Sequence, residues 1–244
     1  MNLVVDLGNT RIKFAIFDDS DQMVYSGKML KRYSNSLISK LPEKFKIDQV
    51  IFCATSIPDH KLLNDLKQLG KFIHFDHLTP LPIVNNYMTP ETLGKDRLAA
   101  ATASALRFPS CNVLFIDMGT CITMNLINAK GEFIGGNISP GLNMRLKAMH
   151  KFTSRLPLVK IEVTDEDFGT STVKALQNGA IKGAFREIDS FIDETRVKLG
   201  SINVILTGGD AVFFENWSKN EIFAAPYLVM EGLNEILKYN VKQT

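Results

Sequence analysis

Apolar and polar positions at the start of the chain follow a strand period, and the same pattern returns near its middle. Leu3-Val4-Val5 is an apolar run, Gly8-Asn9 is a turn signal, and Ile12 to Phe17 alternates, which predicts strand, turn, strand. Asp18 to Asp21 makes a second turn, and Val24-Tyr25 opens a third strand. Residues 34–48 read as partly helical with a break at Pro42, and Gln49 to Ala54 reads as a buried strand. Leu62, Leu63, Leu66 and Leu69 recur at helical spacing within 58–69. Phe72 to Phe75 predicts a further strand, Leu78 to Pro90 a loop, and the alanine-rich stretch from Asp96 to Arg107 a helix that ends before Pro109-Ser110. Leu142 to Met149 is an apolar helical stretch, and Val204-Ile205-Leu206 is a buried strand ending in Thr207-Gly208-Gly209-Asp210-Ala211.

The returning pattern is an internal repeat. Leu3 to Thr10 (LVVDLGNT) matches Leu114 to Cys121 (LFIDMGTC): an apolar run, then Asp, apolar, Gly and a small polar residue. Both copies continue into an alternating strand, a turn and a third strand. The offset from Asp6 to Asp117 is 111 residues, close to half of the 244-residue chain. A repeat of this size predicts two similar halves facing each other, each opening with an antiparallel three-stranded meander and continuing into strand–helix units, with a ligand in the cleft between them.

The repeat carries chemistry at its turns. An Asp at the tip of a buried strand can hold a cation or its water, and the following Gly lets backbone N–H groups approach phosphate oxygens. Thr10 and Thr120 add hydroxyl donors, and Lys13 can direct a positive charge toward phosphates. No GxxxxGK[ST] occurs, so this is not a Walker P-loop. The Gly208-Gly209 turn would let a flat ligand approach the backbone.

Bulk properties narrow the partners. The chain is 45% apolar and 22% charged with a net charge of +2, so charge argues for neither nucleic acid nor membrane. No apolar run approaches the roughly 20 residues of a membrane helix, and the N-terminus opens into a strand without a signal-peptide pattern, so a cytoplasmic protein is expected. Cys53, Cys111 and Cys121 lack CxxC spacing and sit in largely apolar surroundings, which predicts reduced, buried core thiols. The four histidines have no metal-ligand spacing.

The order Asp-x-Gly-Asn-Thr, Asp-x-Gly-Thr, Thr-Gly-Gly resembles the phosphate-1, phosphate-2 and adenosine pattern of the acetate and sugar kinase, Hsp70 and actin superfamily. Within it, the segments between these motifs resemble the type III pantothenate kinases. Gly94-Lys95-Asp96-Arg97 is similar to their GxDR motif, with Tyr87 before it and an alanine-rich helix after it. Asp117 to Thr120 with Thr123 resembles the second phosphate motif, Gly135 to Gly141 the GGxIxPG stretch, Leu156-Pro157 the downstream LP, and Gly169 to Thr172 with Gly179 the G-x-x-T…G segment. Cys121 departs from the usual Ala.

The resemblance implies an α/β fold of two similar actin/Hsp70-like (ribonuclease H-like) halves with a nucleotide cleft between them. Residues 1–109 would carry the first phosphate motif, and 110–244 the second phosphate and adenosine motifs. It implies ATP-dependent phosphorylation of pantothenate to 4'-phosphopantothenate, the first step of coenzyme A biosynthesis, in a homodimer whose partner subunit helps complete the substrate site. Asp96 is then the base. ATP and its phosphates fall to Asp6, Leu7, Gly8, Asn9, Thr10, Arg11, Ile12, Lys13, Gly119, Thr120, Gly208 and Gly209. The substrate falls to Tyr87, Gly94, Lys95, Asp96, Arg97 and Thr172. Asp6 would serve Mg²⁺, directly or through water, and Asp117 a monovalent cation, K⁺ or NH₄⁺. A guanidinium suits bidentate binding of the pantothenate carboxylate, which is the role expected for Arg97 unless it merely forms a surface ion pair. The rival readings are another small-molecule kinase of the superfamily and a non-catalytic accessory regulator on the same fold. The presence of both Asp6 and Asp96 disfavours the regulator.

Overall fold

The computed structural model describes residues 1–41, 43–215 and 217–242, so the predicted break at Pro42 lies outside the described residues. In chain order the elements begin β1 (Asn2–Leu7), β2 (Arg11–Phe17), β3 (Met23–Leu30), β4 (Gln49–Ala54), α1 (His60–Leu69), β5 (Lys71–His74), β6 (Val84–Asn85) and α2 (Lys95–Arg107). They continue β7 (Val113–Met118), β8 (Cys121–Ile127), β9 (Glu132–Pro140), α3 (Leu142–Phe152) and α4 (Thr172–Leu199). The chain closes with β10 (Asn203–Thr207), α5 (Ala211–Glu215), β11 (Phe223–Ala224) and α6 (Leu228–Val241). The partly helical segment near residue 34 consists of two short 3₁₀ turns, Lys31–Ser36 and Ile38–Lys40.

The repeat read from the sequence is a repeat of topology. One sheet runs in the order β3-β2-β1-β4-β5, with β1 antiparallel to β2 and parallel to β4. The other contains the order β9-β8-β7-β10-β11, with β7 antiparallel to β8 and parallel to β10. Apolar side chains line both central strands because parallel neighbours are covered on both faces. Leu3, Val4 and Val5 are fully buried, and so are Leu114, Phe115 and Ile116.

The chain forms two compact units. The first comprises Met1–Pro109, Gly131–Phe133 and Tyr227–Thr244. Its short β6 pairs in parallel with the start of β9, Val84 opposite Glu132 and Asn85 opposite Phe133. The second comprises Ser110–Lys130 and Ile134–Pro226. Its core sets Leu114, Ile116 and Met118 of β7 with Ile181, Phe185, Ile188 and Ile192 of α4, and Phe185 meets Phe214 edge-on at 5.3 Å.

Helices α4 and α6 have no counterpart in the sequence reading. Both bury side chains at a 3–4 residue spacing, Leu176, Ala180, Ala184, Ile188 and Ile192 in α4, and Val229, Leu233, Ile236 and Leu237 in α6. Mid-helix glycines (Gly179, Gly183 and Gly232) weaken that signal. The expectation of three buried thiols holds for Cys53, whereas Cys121 is half-buried and Cys111 is exposed. Cys111 lies in the turn after Pro109-Ser110, where the chain is still outside the sheet.

In the first unit α6 lies against α2 and β1. Its ammonium Lys238 Nζ donates to Asp21 Oδ2 at 2.6 Å, and Asn234 Oδ1 accepts from Asn2 Nδ2 at 2.9 Å. The two helices touch backbone to backbone: a Cβ on Gly232 would stand 1.8 Å from the Ala99 carbonyl oxygen. Alanines on α2 (Ala99, Ala100, Ala103) leave room for this approach. Gly232→Ala should therefore force the helices apart and destabilise the unit by about 2 kcal/mol, the usual cost of overpacking a tight core. Thermal unfolding checks this, and an unchanged midpoint would contradict the contact.

Candidate active site

The first unit gathers its predicted residues at one end of its sheet. Asp6 lies next to last on β1, opposite Lys13 on antiparallel β2 and opposite Cys53 on parallel β4. It is 6% exposed, and Cys53 is its register partner on β4. Burial pushes the Cys53 thiol well above its ordinary value, and the nearby Asp6 and Asp96 carboxylates push it further, so Cys53 stays protonated. After Asp6 the hairpin closes through Gly8 N–H donating to the Arg11 carbonyl at 2.9 Å. Asn9, Thr10 and Arg11 are exposed at its tip, whereas the side chains of Leu7 and Ile12 belong to the core. Any phosphate contact at those two positions would fall to backbone.

Helix α2 begins beside this hairpin. Gly94 is its N-cap and offers no side chain, and the Asp96 carboxylate takes over, its Oδ1 accepting from Arg97 N–H at 2.9 Å. Part of Asp96 remains exposed, but its carboxyl is crowded by protein. Burial raises its pKa above the usual carboxylate value, against the Arg97 hydrogen bond and charge and the Lys13 charge, which lower it. Lys95 turns its ammonium into the preceding loop and donates to the carbonyls of Leu93 at 2.8 Å and Pro90 at 3.2 Å. Arg97 is 6% exposed, which removes the surface ion-pair reading. Its guanidinium carbon lies 5.6 Å from the centre of the Tyr87 ring.

The second unit repeats the hairpin with a shorter tip. Asp117 on β7 pairs with Thr123 on β8 and with Thr207 on β10. The turn closes through Gly119 N–H donating to the Cys121 carbonyl at 3.0 Å. Gly208 adopts a φ of 101°, open only to glycine at no cost, and a Cβ there would meet Asp117 Oδ1 at 2.5 Å. The Gly208-Gly209 turn thus folds directly over the Asp117 carboxylate, and Asp210 N–H ties it to the Met118 carbonyl at 2.9 Å. The GGxIxPG stretch ends on the same hairpin, where a Cβ on Gly141 would stand 2.3 Å from the Gly119 carbonyl oxygen. Thr172 is exposed at the first position of α4, next to the N-cap Ser171.

The comparisons with known proteins agree with these motifs. A family profile for type III pantothenate kinase matches residues 2–194. The type III pantothenate kinase of Bacteroides fragilis is 42% identical over 243 residues, spanning 98% of both chains. The chain belongs to the type III pantothenate kinase family. The Flavobacterium johnsoniae member is 40% identical over 99% of both chains. A solved structure from Campylobacter jejuni, described as a Baf family transcriptional activator, shares the fold with a TM-score of 0.64 at 22% identity, covering 98% of this chain and 99% of that one.

For a type III pantothenate kinase, two neighbours of the predicted residues went unread in the sequence. Cys53 registers as a plain core thiol until β4 pairs with β1. Phe133 lies just before the GGxIxPG glycines, and its ring centre is 5.7 Å from the Arg97 guanidinium carbon. Only the strand register could have found either.

The raised pKa of Asp96 has a stability consequence. An acid with a higher pKa in the folded than in the unfolded chain gives stability that is complete below the unfolded value and lost as pH rises through the folded one. At neutral pH ionised Asp96 is therefore a net cost. Asp96→Asn should raise the melting temperature at pH 7–8, with the difference vanishing near pH 4. A variant that melts lower than wild type at pH 7–8 would contradict a desolvated carboxyl.

Proposed function

We propose that this family member transfers the γ-phosphoryl group of ATP to the primary hydroxyl of pantothenate, with Asp96 as the general base. The observation that carries the assignment is the crowded Asp96 carboxyl at the start of α2, with Lys13 close enough to act on its charge. A primary alcohol is a poor nucleophile at neutral pH. Asp96 takes its proton as the new O–P bond forms and the bond to the departing ADP oxygen breaks, and its raised pKa makes it a stronger acceptor. Lys13 and the exposed backbone of the Gly8–Arg11 tip draw phosphate oxygens toward the first hairpin, and Thr120 and the Gly208-Gly209 turn do so at the second. Arg97 takes the pantothenate carboxylate, beside Tyr87, and Thr172 completes the substrate contacts. Lys95 supports the site from behind by holding the loop at Pro90 and Leu93.

Among the described residues no group of three or more His, Cys, Asp or Glu could hold a metal. Mg²⁺ fits such a site only as an ion that keeps its waters and borrows phosphate oxygens, and one carboxylate suffices for that, so Asp6 would hold it. At the second hairpin the Asp117 carboxylate lies near the Met118 main-chain carbonyl, and oxygen donors of this kind fit a K⁺ or NH₄⁺ ion held by Asp117. These cations would supply charge neutralisation at the phosphates. We assign a homodimer on the family resemblance, which sedimentation of the purified protein tests. No helix among the described residues is long and apolar enough to cross a membrane.

ADP release should require both Mg–ATP and pantothenate and should rise with added K⁺ or NH₄⁺. Asp96→Asn should lower kcat by about 10²–10⁴-fold, the usual contribution of a positioned base, and Asp6→Asn by about 10²-fold or more. Near-wild-type turnover in either folded variant would overturn the corresponding role. Turnover with a sugar and none with pantothenate would replace the substrate.

A further inference from the structure

Residues 153–171 join α3 to α4 as irregular chain and end at Ser171, the N-cap of α4, with Thr172 exposed directly after it. Ordering an irregular segment of this length costs conformational entropy, so something outside its own backbone has to fasten it. Helix α4 supplies the fastening. Asn178 and Lys182 stand one turn apart on that helix, and both donate to a single main-chain oxygen, the Glu166 carbonyl, at 2.8 and 2.6 Å. Thr164 Oγ1 donates to Asn178 Oδ1 at 2.6 Å, and Gln177 Nε2 donates to the Lys160 carbonyl at 3.2 Å. Beyond Glu166 the chain runs tight against α4: a Cβ on Gly169 would stand 2.2 Å from the Ala175 main-chain nitrogen.

Lys182 is the costly member of this set. It is 6% exposed, and burying an ammonium is unfavourable unless it is well paired, whereas an apolar side chain of the same length would be buried there freely. Its ammonium meets the Glu166 carbonyl and, at 3.6 Å, the largely exposed Asp167 carboxylate, and both belong to the loop. We propose that Lys182 is a positioning residue for the acceptor substrate: from its buried place on α4 it pins the Glu166 carbonyl and thereby fixes the loop that delivers Thr172. A cationic donor holds a carbonyl more firmly than a neutral one. The Thr172 hydroxyl needs that firmness, because a hydrogen bond weakens steeply once donor and acceptor drift out of line. The inference rests on the reading of Thr172 as a substrate contact.

The test measures KM for pantothenate and for ATP, and amide hydrogen exchange across residues 163–171, in full-length enzyme. The variants are Thr172→Ala, Lys182→Met, Lys182→Gln and the double variant Thr172→Ala with Lys182→Met. Thr172→Ala should raise KM for pantothenate about tenfold, the upper worth of one ordinary hydrogen bond. Lys182→Met should raise it about fivefold, speed exchange in the loop and leave KM for ATP within about twofold of wild type. Lys182→Gln, which keeps an N–H donor, should fall between Lys182→Met and wild type. The double variant should match Thr172→Ala alone, because Lys182 acts through Thr172. If Lys182→Met does not fold, Thr164→Val, which removes the hydroxyl tying the loop to Asn178, carries the same expectations. An unchanged KM for pantothenate in Thr172→Ala would overturn the Thr172 reading, and this inference with it. A raised KM in Thr172→Ala beside an unchanged one in Lys182→Met would overturn the role of Lys182 alone. So would effects that multiply in the double variant, or equal rises in KM for pantothenate and ATP, either of which would make Lys182 structural only.

Discussion

Taking a carboxylate out of water is costly, and the first unit does it twice at one end of its sheet. Asp6 is buried on β1 and Asp96 is crowded at the start of α2. Each has local neighbours: Lys13 and Cys53 stand opposite Asp6 on the flanking strands, and the main-chain N–H of Arg97 donates to Asp96. The helix start adds its own field, since the first turn of α2 favours a negative charge at its N-terminus. The surrounding residues make sense as supports for this arrangement. Gly94 leaves the cap to Asp96, Lys95 ties down the loop before it, and Arg97 is wedged against aromatic rings.

Rigid backing keeps such charges in place. α2 carries Asp96, and its alanine face is pressed by α6 at a backbone-to-backbone contact that only Gly232 permits. The last helix of the chain therefore supports the first unit, from which it is separated in sequence by the whole of the second. The second unit uses the same logic at Asp117. Two glycine-dependent approaches, Gly208 over the carboxylate and Gly141 onto the hairpin, bring distant strands to one turn.

The sequence made the local half of this legible. The two Asp-x-Gly hairpins, the buried runs beside them and the alanine-rich helix are short-range patterns, and strand, turn and helix periods declare them. The positions of Asp6, Asp117, Asp96 and Arg97 followed from motifs placed on those elements. What stayed hidden depends on register between strands far apart in the chain. Cys53 reaches Asp6 only because β4 pairs in parallel with β1, and Phe133 reaches Arg97 only because β9 picks up the two-residue β6. α4 and α6 carry a helical period that their internal glycines interrupt. The return of α6 to the first unit is a tertiary choice with no local signal. Cys111, read as a core thiol from its apolar neighbours, is exposed because it falls one turn before β7 begins.

The claim that most needs testing is that a desolvated Asp96, tempered by Lys13, is the base. The direct measurement is the pH dependence of kcat/KM for pantothenate in wild type and in Lys13→Met, because that ratio reports the free enzyme's essential base. Burial places the acid limb of wild type above the ordinary carboxylate value. Loss of the Lys13 charge, which holds the Asp96 pKa down, should move the limb to higher pH. A limb at the ordinary carboxylate position, or one that stays fixed or moves down in Lys13→Met, would contradict the account.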